Sequence, residues 1–333
     1  MSSQSMPRAH DPGAWPHRLA LWCALASLPL VLFGGSVTTL GAGMAVDGWL
    51  IAEGHFLLFF PVEEWFRDTA TFVEHTHRLF GVLVGLLAIA CVACTYVSVL
   101  ERRSSARLAA SLALLAVGVQ GTLGGLRVLA DDSGLAFLHG ALAQAVFALL
   151  CVNAVVLSAG WQRALAVPAR DAQPLRALRS AGLLALLVLY GQVVLGAWYR
   201  HGLRPAAVAG SGLRLALHAL GALLVVGALV VLARRAAALR AARALLPVGF
   251  ERALRALPVL LIAQLILGCL AWAGYRPGAL GPAEWALSIL HVLGGGLLLA
   301  DGAVIWMWSG RLTAAAPAPE RVGAAGAVWK EAL

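Results

Sequence analysis

Charge is what this sequence has least of. Only 12% of its 333 residues are Asp, Glu, Lys or Arg, where a soluble globular domain carries roughly 25%. With 61% hydrophobic residues beside that scarcity, a soluble fold is excluded and a polytopic membrane protein is left. Cysteine is missing from every segment between the apolar runs. All five, Cys23, Cys91, Cys94, Cys151 and Cys269, fall inside them, so no loop disulfide is available and the thiols read as packing residues. Cys91-Val-Ala-Cys94 has redox-motif spacing but lies in mid-helix, without the strand and loop that such a motif needs. A removable leader is not expected either, since the first apolar run is too long and lacks a small-residue cleavage site, and no Arg-rich amphipathic transit segment precedes it.

What is present in quantity is hydrophobic length. Eight runs reach the roughly 20 residues needed to cross a bilayer, at about residues 18–41, 79–100, 107–130, 135–160, 177–199, 213–233, 254–274 and 285–308. The net charge of +9 does not indicate nucleic acid, because the basic residues sit in alternate loops. If the N-terminus is cytoplasmic, the inside segments hold 18 Lys and Arg and the outside segments 7. That bias predicts both termini inside, with a bacterial plasma membrane as the simplest location.

Three runs share the signature Gln-x-x-Leu-Gly, at Gln120–Gly124, Gln192–Gly196 and Gln264–Gly268, the glutamines being spaced by 72 residues twice over. Each following run opens with a histidine: His139, His218 and His291. The repeating unit is a helical hairpin. A divergent first copy has Gly34-Gly35-Ser36-Val37-Thr38-Thr39 in place of the signature, and His77 opens its second helix. Four hairpins predict an all-α integral membrane protein with eight transmembrane helices, arranged as two pseudo-symmetric four-helix bundles in parallel repeat. The divisions expected are a tail (1–17), an N-terminal half (18–160), a linker (161–176), a C-terminal half (177–308) and a second tail (309–333). Gly81 and Gly85, in small-xxx-small spacing, predict close helix contact. The loop at about 42–73, rich in Trp and Phe among acids, reads as an interfacial segment and a lid over a site.

Because the even-numbered helices all run from outside to inside, the four histidines fall at one membrane depth near the outer face. A lone interfacial histidine is ordinarily a hydrogen-bonded packing residue. Four in register suggest axial ligation of haem iron, His77 with His139 and His218 with His291, each pair clamping one macrocycle between two helices. Haem propionates there would need cations, and Arg78, Arg127, Arg200, Arg204, Arg214 and Arg276 adjoin the histidine ends. Snorkelling to the interface is the alternative reading of each. Glu74 shares a helix face with His77 and has no counterpart in the other half, so it is the candidate for proton handling; an ion pair with Arg78 at i,i+4 fits the spacing equally. His75 points roughly 160° from His77 and is not expected to ligate the same iron. Asp301 is a second intramembrane acid without an assigned role.

The segments Gly34 to Val46, Glu74-His75-Thr76-His77-Arg78-Leu79, Leu138-His139-Gly140, Arg200-His201-Gly202, Leu217-His218 and Leu290-His291 together resemble the haem A synthase family over about residues 20–310. The resemblance implies oxidation of the C8 methyl of haem O to a formyl by successive hydroxylations and loss of water. It implies haem b at His218/His291 passing electrons, and the substrate haem at His77/His139 beside Glu74. Partners in that case include a haem O synthase and a terminal oxidase, with homo-oligomerisation open. The sequence departs from the family in having no cysteine pair in the first outer loop, and in reading Asp47-Gly48-Trp49-Leu50 where relatives usually carry Pro-Asp-Trp-Pro. Two other readings compete: a di-haem protein for electron transfer or haem handling without methyl oxidation, and a transporter, whose site would lie near the midplane.

Overall fold

The computed structural model describes residues 14–98, 104–164, 172–201, 211–242, 246–274 and 281–314. Among them are eight helices long and apolar enough to span a membrane: α1 (Ala14–Leu40), α3 (Thr69–Val97), α4 (Ser104–Leu129), α5 (Ser133–Val156), α7 (Ala172–His201), α8 (Ser211–Ala242), α9 (Val248–Gly274) and α10 (Pro282–Ala314). Helices answer the demand of a bilayer because each satisfies its own backbone donors and acceptors. The protein is an all-α integral membrane protein. Two short helices, α2 (Val62–Trp65) and α6 (Ala159–Arg163), one 3-10 turn (Leu57–Phe59) and one hairpin, β1 (Ile51–Ala52) with β2 (His55–Phe56), complete the described elements.

Helix contacts close two rings. In the first half α1 packs on α3, α3 on α4, α4 on α5 and α5 back on α1; in the second, α7, α8, α9 and α10 repeat that order. The rings meet where α10 packs on α5 and α1, and α5 on α7. Inside the first ring the buried positions are small, with Ala20, Cys23, Ala88, Cys91, Ala106, Ala110 and Ala113 letting backbones approach. Inside the second, leucines dominate, and Trp308 packs against Trp161 and Phe250.

The helices overrun the apolar runs. α3 begins at Thr69, ten residues before the hydrophobic stretch at Leu79, because Asp68 caps it by accepting from Thr71 N at 2.8 Å. Glu74, His75 and His77 therefore lie inside a helix and not at its mouth. Asp132 caps α5 in the same way through Leu135 N, and Pro282 occupies the first position of α10, where its missing N–H costs nothing. α1 likewise starts at Ala14, α7 at Ala172, and α10 runs on to Ala314, so the expected linker and tails are partly helical. The expected close contact at Gly81 and Gly85 does not occur: a Cβ at either would meet nothing within 4 Å.

Candidate functional site

Each of the four histidines lies within the first three turns of its helix, and each rests on a glycine of the preceding long helix. A Cβ at Gly34, Gly124, Gly196 or Gly268 would stand 2.7, 2.8, 2.9 or 2.8 Å from Cε1 of His77, His139, His218 or His291. No larger residue fits without moving a ring. The structure brings the histidines together in pairs. His77 faces His139 with ring centroids 6.4 Å apart and planes at 90°; His218 faces His291 at 6.2 Å and 88°.

A polar group one turn before each glycine holds the ring. Gln120 Nε2 lies 3.1 Å from His139 Nδ1 and donates to the His139 main-chain oxygen at 2.9 Å. Gln192 does the same for His218, at 3.0 and 2.8 Å. Gln264 approaches His291 less closely, at 3.5 Å from Nε2. The Oε1 atoms of all three glutamines are buried without a partner. A half-turn of the amide offers that oxygen to a ring Nδ1–H in place of the main-chain bond, and a histidine protonated at Nδ1 keeps its Nε2 lone pair for a metal. In the first hairpin Leu30 stands at the glutamine's position and its main-chain oxygen takes over, 3.0 Å from His77 Nδ1. A carbonyl only accepts, so Nδ1 of His77 carries the proton.

These pairs fit an axial-ligand role. Two imidazoles bound through Nε2 to one metal ion, at metal–nitrogen distances of about 2 Å, place their ring centres roughly 6 Å apart. The described residues contain no group of three or more His, Cys, Asp or Glu able to hold a bare ion. A metal on either pair thus needs its other ligands from elsewhere, and an iron macrocycle brings four of its own.

Around the first pair the loop after α1 is fastened down. Glu74, 1% exposed, accepts from Ala45 N at 2.7 Å and Val46 N at 3.1 Å through Oε2, and from Arg78 at 2.8 Å through Oε1, with Arg127 at 3.8 Å from the same oxygen. Arg78 also donates to Val46 O and Gly48 O. Gly48 takes φ +80° and a Cβ there would collide with Ile51 O, so Asp47-Gly48-Trp49 is a turn that needs its glycine. Trp49 lies against Gly125, next to the seat of His139. The loop thus spans α3, which carries His77, and α4, whose Gly124 seats His139. Val46, Ala52 and Phe60 form its own small core against Trp65, while Phe56, Phe59 and Phe66 are exposed.

The remaining candidates divide. Of the two readings of Glu74, the ion pair with Arg78 is present at 2.8 Å, three residues before His77 on the same helix. Arg78 commits its donors to the loop and Glu74, and Arg214 stacks on Trp198 at 5.0 Å. Arg200 reaches into the other half, donating to Gly35 O and Thr39 Oγ1. Arg204 and Arg276 lie outside the described residues. His75 is buried apart from the pair, stacked on Phe60 at 4.5 Å. Asp301 has Oδ2 buried without a partner. The sequence reading missed the Gly–His contacts and the glutamine–histidine bonds, although the repeated signature contained both residues; Leu30 acts through its main chain and leaves no signature to find.

Two facing histidine pairs in two packed rings of four helices define a class: integral membrane proteins with a repeated, paired-histidine core near one end of the bundle. Within it, the profile of the cytochrome oxidase assembly protein family matches residues 17–209, and the chain belongs to that family. It is also 36% identical over 100 residues to the heme A synthase of Nitrosospira multiformis, a match covering 28% of this chain and 28% of that protein.

Proposed function

We propose that the protein is an oxidoreductase of the haem A synthase type, oxidising the C8 methyl of haem O to a formyl group, with a resident haem b at His218 and His291 and the substrate haem at His77 and His139. The observation that carries this is the pair of ring separations, 6.4 and 6.2 Å, repeated in two halves that differ in what surrounds them. When bound, the haems supply electron transfer and oxidation of the methyl carbon. The protein's own part is to hold and shield. His77 and His139 would hold the substrate haem, Gly34 and Gly124 let their rings seat, and the loop over Ala45–Trp49 would keep bulk water from the first pair.

Glu74 is the proposed proton-handling residue. Its Oε2 is held by two loop amides, so Oε1, shared with Arg78 and approached by Arg127, is the atom where a proton can arrive or leave. Taking one weakens the Arg78 bond, and that guanidinium keeps its donations to Val46 O and Gly48 O. Arg127, Arg200 and Arg214 complete the cationic set. The proposed setting is a bacterial plasma membrane with both termini cytoplasmic and the sites toward the outer face, in contact with a haem O source and a recipient oxidase.

Co-expression with a haem O synthase, followed by pigment extraction and mass analysis, tests the reading. Haem A is expected from the wild type. Glu74→Ala is expected to abolish it while bis-histidine spectra persist, and His218→Ala to lose the resident haem b. Unchanged haem O in folded, haem-loaded wild-type protein would leave a non-catalytic di-haem protein as the correct reading.

A further inference from the structure

The last turns of α7 belong to the second half, yet they touch one histidine pair and the backbone beside the other. Gly196 is the seat of the His218 ring, and Tyr199 stacks on that ring with centroids 6.4 Å apart and planes 12° apart. The next two residues turn to the other half. Arg200 Nη2 donates to Gly35 O and Thr39 Oγ1 on α1, and Gly35 directly follows Gly34, the seat of His77. A Cβ at Gly35 would also meet Ile289 at 3.6 Å, two residues before His291 on α10. His201 presses on Gly140, the residue after His139, where a Cβ would stand 3.0 Å from His201 Nε2. Its ring makes edge contact with Phe137 at 6.4 Å and 79°.

One helical turn therefore reaches His218 directly, and His77 and His139 through the backbone beside them. A guanidinium placed between helices is retained only where its donors are met, and Arg200 meets acceptors on a helix of the opposite half. We propose that Arg200 and His201 are positioning residues of the His77/His139 site, supplied across the interface, and that the last turn of α7 couples the two haem sites. This rests on the reading of both histidine pairs as haem sites. Arg200 grips α1 at Gly35 and so sets how Gly34 meets the His77 ring; His201 does the same for α5 at Gly140. With haem bound at both pairs, the coupling would act on a one-electron transfer from the His218/His291 site to the His77/His139 site. No bond forms or breaks and no proton passes through either residue. Arg200 Nη2 and Ile289 of α10 meet at the same glycine, Gly35, so the fixed charge of Arg200 is felt at both sites, and what it adds at His77/His139 alone is the placing of α1.

The test uses the full-length protein loaded with haem, its two sites assigned by the His218→Ala and His77→Ala variants. Midpoint potentials and electron paramagnetic resonance g-values are measured for Arg200→Met, Arg200→Lys and His201→Gln. Arg200→Met is expected to lower the potential of the haem at His77/His139, with Arg200→Lys returning it toward wild type. His201→Gln is expected to change that haem's g-values, and both effects to persist in the His218→Ala background. Changes confined to the haem at His218/His291, or no change at either, would overturn the proposal. Should Arg200→Met fail to fold, the lysine and His201→Gln variants still decide it. Wild-type protein that retains no haem overturns the underlying site reading instead, and that is seen before any variant is made.

Discussion

At the scale of single residues, four glycines decide how near four histidines come to the neighbouring helix. Adding one methyl at Gly124, where a Cβ would stand 2.8 Å from the His139 ring, overpacks the contact by about 1–3 kcal/mol. Gly124→Ala is thus expected to weaken haem retention by roughly ten- to a hundredfold, measured as pigment bound per protein after detergent washing. Gly81→Ala, with open space around it, is the control and should retain pigment as the wild type does. Sequence pattern alone ranks these positions the other way: Gly81 and Gly85 have the spacing of a helix-contact motif, while Gly124 is one glycine in a repeat. Spacing reports which residues share a helix face. It does not report what that face meets.

At the scale of elements, the start of α3 matters most. Its first turns carry Glu74, His75 and His77, and their order depends on the Asp68 cap. Hydrogen bonds from the Thr71 backbone and side chain and from Arg67 hold the Asp68 carboxyl below the usual carboxylate range. A depressed folded-state pKa gives a contribution that is present above the unfolded pKa and lost as pH falls through the folded one. Fraying of the first turn of α3 is therefore expected only in acid, below the ordinary aspartate range, and Asp68→Asn should abolish that acid dependence. Hydrogen exchange of residues 69–73 across pH reads it. The eight long helices were legible in the sequence because lipid demands continuous apolar length. The early start of α3 was not, because its polar residues are buried by a loop whose fold depends on Gly48 and on Glu74 itself. The histidine pairs were legible through the repeat. Their glutamine and main-chain supports were visible as residues and not as contacts, since those contacts lie between helices.

At the scale of the whole molecule, two rings of four helices share an interface built from α1, α5, α7 and α10. That interface packs Phe147, Ala148 and Val152 of α5 into the core cluster of the second half. Two chains divided between residues 168 and 169 and co-expressed are expected to co-purify and to retain both pigments. Separation of the halves in mild detergent would show that the interface is weaker than its packing implies. Arg200 belongs to this scale as well: from sequence it reads as one more cation near a histidine, and only the meeting of the halves gives it α1 as a partner.

On the proposed reading, the right-angle crossing of the imidazole planes bears on which atom of a bound macrocycle would react. A flat disc gripped at its centre by two crossed plates has no preferred heading, because the plates together single out no direction in its plane. Its compass bearing must be fixed at the rim. Among the described residues, one structure beside His77 and His139 without a counterpart at the other pair is the strapped turn from Ala45 to Trp49, held by Arg78 and facing Arg127. The choice of one methyl among several similar ones would then be written in that turn, and changes there should redirect the oxidation before they diminish it.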